Sequence, residues 1–274
     1  MKNARIAYII IFAAIAIALI ATVIAVIAMA KEKPTVAITF DVEYPYGVPD
    51  NLLEQTSEQE WINAINDIVE IAESNDVVFQ FNVLGKTAEK YPQLIKELSL
   101  SQDVSCHTYS HLYQTELNSS QKEFEISKCK ETVESVITEE IVGNRFPFTD
   151  CDNESFAFLE AYGYKWDSSL FAFSLAELKP YSYKGIIEFP IFTMDDWEYF
   201  IYENKTDADK FYDILYSDIT SIKDKDAVYV VLLHPWVLSL DESRIDGLDS
   251  FIEKLKESEI KIDSLDKIYK RVIA

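Results

Sequence analysis

Short apolar runs alternate with amphipathic segments along residues 34–274. Two of the runs, Val36–Phe40 and Val228–Leu233, are apolar on both faces, as is typical of strands that helices cover on both sides. In the longer segments apolar residues recur at every third or fourth position, which predicts helices. The predicted strands are Thr35–Phe40, Val77–Val83, a short strand near Val104, Ile141–Arg145, Lys165–Asp167, Gly185–Phe189, Ala227–Leu233 and Lys261–Ser264. The predicted helices are Ser57–Ser74, Thr87–Leu100, Ser120–Ile137, Glu154–Tyr162, Asp207–Ile222, Ile245–Ser258 and a short C-terminal helix.

This alternation predicts an α/β fold with a mainly parallel sheet, because strands and helices follow one another in turn. Either a barrel or an open doubly wound sheet fits the pattern. In both architectures functional side chains gather at the carboxyl ends of the strands. The polar residues that follow or end the predicted strands are therefore the candidates for a site: Asp41, Glu43, His107, His111, Arg145, Asp167 and His234.

An apolar segment precedes this alternation. Between Ile6 and Ala30 the chain has no charged residue, and this run exceeds the roughly 20 residues that a transmembrane helix needs. We therefore predict that residues 1–33 form an N-terminal signal anchor, one transmembrane helix with short flanks, and that residues 34–274 form a single domain. The expected location is the cell membrane, single-pass, with the domain outside the cytoplasm. The Ala-Met-Ala sequence ending at Ala30 also fits a signal-peptidase site, and cleavage there would release the domain as a secreted protein.

The charge of the chain narrows the range of partners. It has 47 Asp and Glu against 25 Lys and Arg, which gives a formal net charge of −22 at pH 7. Because like charges repel, this balance argues against nucleic acid or an anionic lipid surface as a partner. The expected partners are a substrate for the domain and the membrane for the N-terminal helix.

The histidines indicate a metal centre. His107 and His111 are two of only three histidines, and on a helical turn their spacing would place both imidazoles on one face. Two imidazoles and one carboxylate leave open positions on a divalent ion, which is the layout of a catalytic site. Such an ion lowers the pKa of a bound water, a second carboxylate takes the proton of that water, and His234 opposite protonates the leaving group. Arg145 would hold the base carboxylate, and hydrolysis of an amide or ester is the simplest reaction that these groups support.

Several short segments carry a family resemblance. The chain resembles the polysaccharide deacetylase family, the NodB-homology domain of carbohydrate esterases. Residues 39–43 (TFDVE) resemble its first motif, T-F-D-D-G-P, and residues 107–111 (HTYSH) match its second, H-[ST]-x-x-H. Residues 81–87 (FNVLGKT) are similar to the F-F-V-x-G segment that precedes the second motif. Residues 145–148 (RFPF), 166–169 (WDSS) and 232–235 (LLHP) are similar to R-x-P-Y, an Asp-Ser-Ser variant of the fourth motif, and L-x-x-H.

The resemblance implies a distorted (β/α)7 barrel that removes N-acetyl groups from an aminosugar polymer with a divalent metal ion. Zinc is the expected metal, with cobalt, nickel and manganese as alternatives. By the resemblance Asp41 is the catalytic base, His107 and His111 are metal ligands, and His234 is the catalytic acid. Arg145 orients the base, while Asp167 either orients Arg145 or caps its strand. The resemblance also implies that the backbone N–H of Phe148 donates a hydrogen bond to the oxyanion and that the side chain of Leu232 lines the pocket for the acetyl methyl group.

Two departures from the family pattern affect these assignments. The usual carboxylate ligand is the second Asp of the first motif, and Val42 occupies that position. Because Glu43 lies two residues after Asp41, both point to the same side of an extended strand. We expect Glu43 to be the metal ligand and Asp41 the base, with Asp41 as ligand the alternative. The family's R-x-P-Y-G becomes Arg145-Phe146-Pro147-Phe148-Thr149, which alters the wall of the groove.

The function expected from these features is deacetylation of an aminosugar-containing glycan of the cell envelope. One alternative is hydrolysis of a small cyclic amide, as in allantoinase-like members of the same superfamily. A second is a catalytically degenerate domain that binds glycan, which the valine at position 42 suggests. The aromatic and acidic stretch Thr193–Phe200 is either a wall of a sugar-stacking groove or an edge of the core.

Overall fold

A sheet of nine strands runs through the described part of the chain. The computed structural model describes residues 33–192 and 195–273. The strands are β1 (Thr35–Val42), β2 (Gln80–Val83), β3 (Asp103–Cys106), β4 (Gly143–Asn144), β5 (Trp166–Asp167), β6 (Tyr181–Tyr183), β7 (Ile186–Glu188), β8 (Val228–Leu233) and β9 (Lys261–Ile262). Their order is β6-β7-β5-β4-β3-β2-β1-β8, and β9 also pairs with β1. Every pairing is parallel except that of β6 with β7, which is antiparallel.

The sheet is a curled half-barrel. Among the described residues no ladder joins β6 to β8, so these two strands form its open edges. Most of the parallel crossovers contain helices. The helices are α1 (Asp50–Leu53), α2 (Glu58–Ser74), α3 (Gly85–Lys90), α4 (Pro92–Leu98), α5 (Ser119–Val136), α6 (Asn153–Ala161), α7 (Ala208–Ser221), α8 (Pro235–Leu238), α9 (Glu242–Glu257) and α10 (Leu265–Val272). The predicted α/β class is therefore confirmed.

Strand β1 lies between β2 and the edge strand β8, and its side chains divide into two sets. Val36, Ile38, Phe40 and Val42 are fully buried in the larger hydrophobic cluster. Ala37, one position out of phase, belongs to a smaller cluster on the other face of the sheet. Because side chains alternate along a strand, the odd-numbered positions share the face of Ala37. This alternation continues to the carboxyl end of β1, where the candidate carboxylates lie.

The helices show the capping and periodicity that their sequences predict. Ser57 caps α2, where its hydroxyl accepts a hydrogen bond from the N–H of Glu60 and the Glu60 carboxylate accepts one from the N–H of Ser57. The buried residues of α2 recur every three or four positions: Trp61, Ala64, Ile65, Ile68 and Ala72. Asn118 caps α5 in the same reciprocal way with Gln121. These caps fix where each crossover helix begins.

Several predicted boundaries were wrong. The single helix expected over Thr87–Leu100 is two helices, α3 and α4, because Pro92 has no N–H to donate and begins a new helix instead. The strand expected from Val77 begins only at Gln80. The hairpin strand β6 was not predicted, and its turn to β7 uses left-handed backbone at Lys184 (φ 51°) and Gly185 (φ 81°).

The predicted transmembrane segment, Ile6–Ala30, lies outside the described residues. No helix within residues 33–192 and 195–273 is long and apolar enough to cross a membrane.

A buried carboxyl group makes the stability of the fold depend on pH. Asp266 lies in the first turn of α10, and its Oδ1 accepts a hydrogen bond of 2.6 Å from Trp166 Nε1. Burial raises the pKa of Asp266 to about 7. A group whose pKa rises on folding stabilises the fold below its unfolded pKa, near 4 for Asp, and loses that contribution as pH rises through its folded pKa.

We therefore expect Asp266→Asn to change stability in a pH-dependent way. At pH 4 the variant and the parent should have similar free energies of unfolding, because Asp266 is neutral in the folded chain and the unfolded chain gains little from its ionisation at that pH. At pH 8 the variant should be the more stable, by at most about 4 kcal/mol at about 1.4 kcal/mol per pKa unit. Urea unfolding at the two pH values measures the difference. Asp67→Asn on the exposed face of α2 is the control, and an effect of Asp266→Asn that is equal at both pH values would contradict the prediction.

Candidate active site

A cavity of about 480 Å³ opens at the carboxyl ends of β1, β3 and β8. This is the edge at which a parallel sheet collects functional side chains. Seven residues that the sequence assigned to the site line the cavity: Asp41, Glu43, His107, His111, Phe148, Leu232 and His234. The structure therefore brings together residues that are up to 193 positions apart along the chain.

Two imidazoles and one carboxylate meet in this cavity. Glu43 Oε2 lies 2.8 Å from His111 Nε2 and 3.4 Å from His107 Nε2. One donor atom from each of these three residues lies within 4.8 Å of the other two. Asp41 is more distant, with its Oδ2 at 3.8 Å from His107 Nε2. Of the two carboxylates it is Glu43 that approaches both imidazole nitrogens.

The position of Glu43 follows from β1 and from its neighbours. Glu43 is separated from Ala37 and Asp41 by an even number of positions, so it lies on their face of the sheet and points away from the larger core cluster. Its Oε1 accepts a hydrogen bond of 2.8 Å from Trp236 Nε1 on α8. A Cβ atom at Gly47 would lie 2.5 Å from Glu43 Cδ, so the glycine at that position makes room for the carboxylate. Although burial opposes ionisation, the imidazoles of His111 and His234 hold the pKa of Glu43 well below its ordinary value.

The segment that carries the histidine pair is a loop, so the expected helical turn was wrong. Residues 107–113 contain no helix, and both Thr108 (φ 59°) and His111 (φ 63°) have left-handed backbone. The i,i+4 spacing therefore does not place the imidazoles on one face of a helix. They meet because the loop folds back, with ring centroids 5.4 Å apart.

The donor set fits a divalent metal ion. His107 Nδ1 donates to the backbone carbonyl of Arg145 at 2.8 Å, and since a carbonyl only accepts, the lone pair of this ring lies on Nε2. His107 Nε2 is buried and has no hydrogen-bond partner among the described residues. A ring nitrogen of this kind, fixed by a second-shell acceptor, is typical of a metal ligand. Two imidazole nitrogens and a carboxylate oxygen suit zinc and other first-row divalent ions.

Asp41 is held by a residue that the sequence did not single out. Its Oδ1 accepts a hydrogen bond of 2.6 Å from Asn82 Nδ2, and Asn82 Oδ1 in turn accepts one of 2.6 Å from Ser105 Oγ. Asn82 lies opposite Asp41 in the β1–β2 register. A polar side chain within the buried strand β2 was the signal available in the sequence. Arg145, the residue expected to hold Asp41, is farther away, with Nη1 at 3.7 Å from Asp41 Oδ1.

Asp167 makes its direct side-chain contacts with neighbouring strands of the sheet. No ion pair joins Asp167 to Arg145 in the described part of the chain; the Arg145 Nη2 donates to Ser168 Oγ at 3.0 Å. Asp167 Oδ2 accepts from Asn144 Nδ2 at 2.8 Å, and the residue faces Glu188 in the β5–β7 register. Burial raises the pKa of Asp167 to about 6. Asp167 is not among the residues that line the cavity, and its catalytic assignment stays a prediction.

His234 is paired with Asp196, which sequence reasoning missed as a site residue. His234 Nδ1 lies 2.6 Å from Asp196 Oδ1, and the backbone N–H of His234 donates to Asp196 Oδ2 at 2.8 Å. Burial opposes the protonation of His234, but the carboxylates of Asp196 and Glu43 outweigh it and raise the pKa of the imidazole well above its ordinary value. The arrangement holds a protonated imidazole at the edge of the cavity.

Aromatic side chains form the rim of the cavity. Phe148 has left-handed backbone (φ 56°), is half exposed, and stacks on Tyr113 with ring centroids 3.9 Å apart and an interplanar angle of 6°. Trp197 and Tyr202, on a short π-helical turn, stack at 5.9 Å. Within the Thr193–Phe200 stretch, Asp195, Trp197 and Glu198 line the cavity, while Tyr199 and Phe200 are buried in the larger hydrophobic cluster. Residues 193 and 194 lie outside the described residues.

We predict that Glu43, and not Asp41, is the carboxylate ligand. Glu43→Gln should weaken Zn²⁺ binding by more than the roughly 10- to 100-fold that loss of an outer-shell partner produces. Asp41→Asn should weaken it much less, because Asp41 approaches only one of the two imidazoles. Competition with a chromophoric chelator measures both dissociation constants on the full chain. The reverse order of the two variants would assign Asp41 as the ligand.

Comparison with known proteins agrees with this geometry. A sequence model of a family described as polysaccharide deacetylase matches residues 28–166. A putative polysaccharide deacetylase from Mycobacterium smegmatis is similar in structure, with a TM-score of 0.74 and 19% identity over 89% of this chain and 91% of that one. A family 4 carbohydrate esterase from Streptomyces lividans in complex with acetate has a TM-score of 0.54 and 15% identity over 84% and 91%. A CE4 family pseudoenzyme from Bacillus anthracis has a TM-score of 0.59 and 17% identity over 87% and 66%. No curated protein matches the chain significantly.

Proposed function

Because the chain belongs to the polysaccharide deacetylase family and is thus a hydrolase of amide bonds, we propose that it removes N-acetyl groups from a cell-envelope glycan that contains aminosugars. The observation that carries the proposal is the meeting of three kinds of group in one cavity. They are the Glu43–His107–His111 donor set, the carboxylate of Asp41, and the His234–Asp196 pair. The envelope location rests on the uncharged run from Ile6 to Ala30, and recovery of the chain in the membrane fraction would check it.

The chain supplies a base and an acid at opposite sides of the cavity. Asp41 has one oxygen bonded to Asn82, and its Oδ2 faces His107, where it is available to take a proton from a water. His234, whose pKa is raised, gives its proton to the amide nitrogen as the bond to the acetyl carbon breaks. A divalent ion held by Glu43, His107 and His111 would polarise the acetyl carbonyl and acidify water. The aromatic rings at the rim would pack against the faces of pyranose rings.

The charge of the cavity indicates which glycans it accepts. Its lining includes the carboxylates of Asp41, Glu43, Asp195 and Glu198, and none of its described lining residues is a lysine or arginine. The carboxylates of Glu43 and Asp41 would offset a divalent ion, and Asp196 offsets the protonated imidazole of His234, so that Asp195 and Glu198 leave the entrance negative. A field of one sign in a cleft repels ligands of the same sign. We therefore propose a neutral or cationic aminosugar chain as substrate, and not a uronate-rich polymer.

The direct test is release of acetate by the purified full chain from neutral N-acetylglucosamine oligomers. Release should stop after chelation, return when Zn²⁺ is added, and fall by about 10² to 10⁴ in Asp41→Asn, as expected when a general base is lost. A uronate-containing N-acetylated oligomer of equal length should react more slowly. Glycan binding without acetate release, unchanged in Asp41→Asn, would contradict the proposal and indicate a binding domain. Ring opening of a hydantoin in place of glycan turnover would indicate a cyclic-amide hydrolase.

The His234–Asp196 pair predicts a shift in the pH profile. Asp196→Asn removes the negative charge that does most to raise the pKa of His234, so the imidazole should lose its proton at lower pH. Since the acid must be protonated to act, the alkaline limb of kcat/KM should move to lower pH by roughly one to three units. Asp195→Asn is the matched control, because Asp195 acts on His234 only through space and should shift the limb less. An unchanged limb in Asp196→Asn would rule out His234 as the acid.

A further inference from the structure

The loop that carries both histidine ligands is held in a strained conformation. Thr108 and His111 have φ values of 59° and 63°, which are unusual for residues with a side chain. Such a conformation is costly for a residue with a Cβ atom, and it persists only where the surroundings impose it. The contacts made between residues 107 and 111 therefore decide whether the two imidazoles stay together.

One buried carboxylate makes most of the side-chain contacts to this loop. Glu125 Oε2 accepts hydrogen bonds from the backbone N–H groups of Tyr109 (3.1 Å) and Ser110 (2.7 Å). Its Oε1 accepts a third, of 2.5 Å, from Ser110 Oγ. These two residues lie in the middle of the segment between the histidines. Successive N–H groups that converge on one anion form a tight and directional contact.

Glu125 has no other evident reason to be buried. Its residue exposure is 3%, and no ion pair with a lysine or arginine is present among the described residues. A buried carboxylate without a cation is unfavourable unless hydrogen bonds compensate for its lost hydration. All three of its hydrogen bonds go to the histidine loop. The hydrogen bonds that compensate for burying the Glu125 carboxylate are therefore present only in this conformation of the loop.

The backbone of the same loop is also fixed from α3. The N–H groups of Gly85 and Lys86 donate to the carbonyls of Thr108 (3.0 Å) and Tyr109 (2.9 Å). A Cβ atom at Gly85 would lie 2.5 Å from Tyr109 Cδ2, so Tyr109 packs closely on the start of that helix. The loop is therefore held on its carbonyl side by α3 and on its N–H side by Glu125.

We propose that Glu125, on α5, is the positioning residue of the metal centre: it fixes the loop so that His107 and His111 face Glu43 before any ion binds. The inference rests on the proposed metal-dependent function, but it concerns the ligands and not the substrate. His111 depends on it most. His107 is also fixed by the Arg145 carbonyl, whereas the only polar contact to the ring of His111 among the described residues is that with Glu43.

The experiment compares Glu125→Gln with Glu123→Gln in the full chain. Glu123 lies two residues away on the exposed face of α5 and bonds Tyr162 Oη, so it is matched in type and helix but remote from the loop. Glu125→Gln should weaken Zn²⁺ binding about 10- to 100-fold, as loss of a second-shell partner does, with one ion still bound at saturation. Glu123→Gln should bind as the parent does. Activity of Glu125→Gln should recover with excess Zn²⁺, because the ligands themselves are intact.

Two readouts separate positioning from a general effect on stability. Hydrogen exchange of the metal-free chain should accelerate at the Tyr109 and Ser110 amides in Glu125→Gln and stay unchanged in the amides of β1. Ser110→Ala removes the hydrogen bond from Ser110 Oγ to Glu125 and leaves the Glu125 carboxylate in place. This variant should also weaken Zn²⁺ binding, but less than Glu125→Gln does. It replaces Glu125→Gln in the experiment if that variant does not fold. Zn²⁺ affinity within twofold of the parent, in whichever of these variants folds, would overturn the inference. Failure of the parent chain to bind Zn²⁺ would instead refute the metal centre itself.

Discussion

The site depends on the alternation of side chains along β1. Val42 is fully buried with Val36, Ile38 and Phe40, on the face that packs against helices. Because neighbouring residues in a strand point to opposite faces, a carboxylate at position 42 in this register would place a charge in an apolar core. The cavity can therefore draw a carboxylate only from the odd positions, where Asp41 and Glu43 stand. With the odd-numbered residues of β1 facing the cavity, Glu43 reaches the histidines and Val42 is a core residue.

The other half of the site depends on contacts between elements that are distant in sequence. The histidine loop follows β3, yet it is held by N–H groups of α3, by a carboxylate of α5 and by the carbonyl of Arg145 after β4. His234 follows β8 and is held by Asp196, which comes before it on another crossover. Each reactive side chain thus has a partner from a different element. The curled sheet serves the site by bringing these crossovers to one edge.

Much of this arrangement could be predicted from the sequence, because strand ends and short motifs are local features. The alternating pattern gave the α/β class, and the polar residues after β1, β3 and β8 do converge on one cavity. The helical turn at the histidines was wrong, since spacing alone cannot reveal a loop with left-handed backbone at Thr108 and His111 that is held by contacts with distant elements. Asn82 and Asp196 were missed because register and crossover packing decide their contacts. The role of Asp167 stays a prediction, because a strand-end acid can bond within the sheet, as Asp167 does with Asn144, or face a cavity.

The carboxylates of Glu43 and Asp41 have different hydrogen-bond partners, and these partners suit them to different roles. Glu43 accepts a hydrogen bond from Trp236 through Oε1, and its Oε2 faces both imidazoles, so this oxygen would hold a divalent ion together with His107 and His111. Asp41 is bonded to Asn82 through Oδ1, and its Oδ2 faces His107 alone. The nearest cation, Arg145, has Nε and Nη1 buried without hydrogen-bond partners, so its positive charge remains directed toward Asp41 at 3.7 Å. A cation held at that distance leaves the second oxygen, Oδ2, unoccupied, and a base must keep such an oxygen available. With one carboxylate placed to hold a divalent ion and the other placed to accept a proton, the two groups would divide the work of a metal-dependent hydrolase between them.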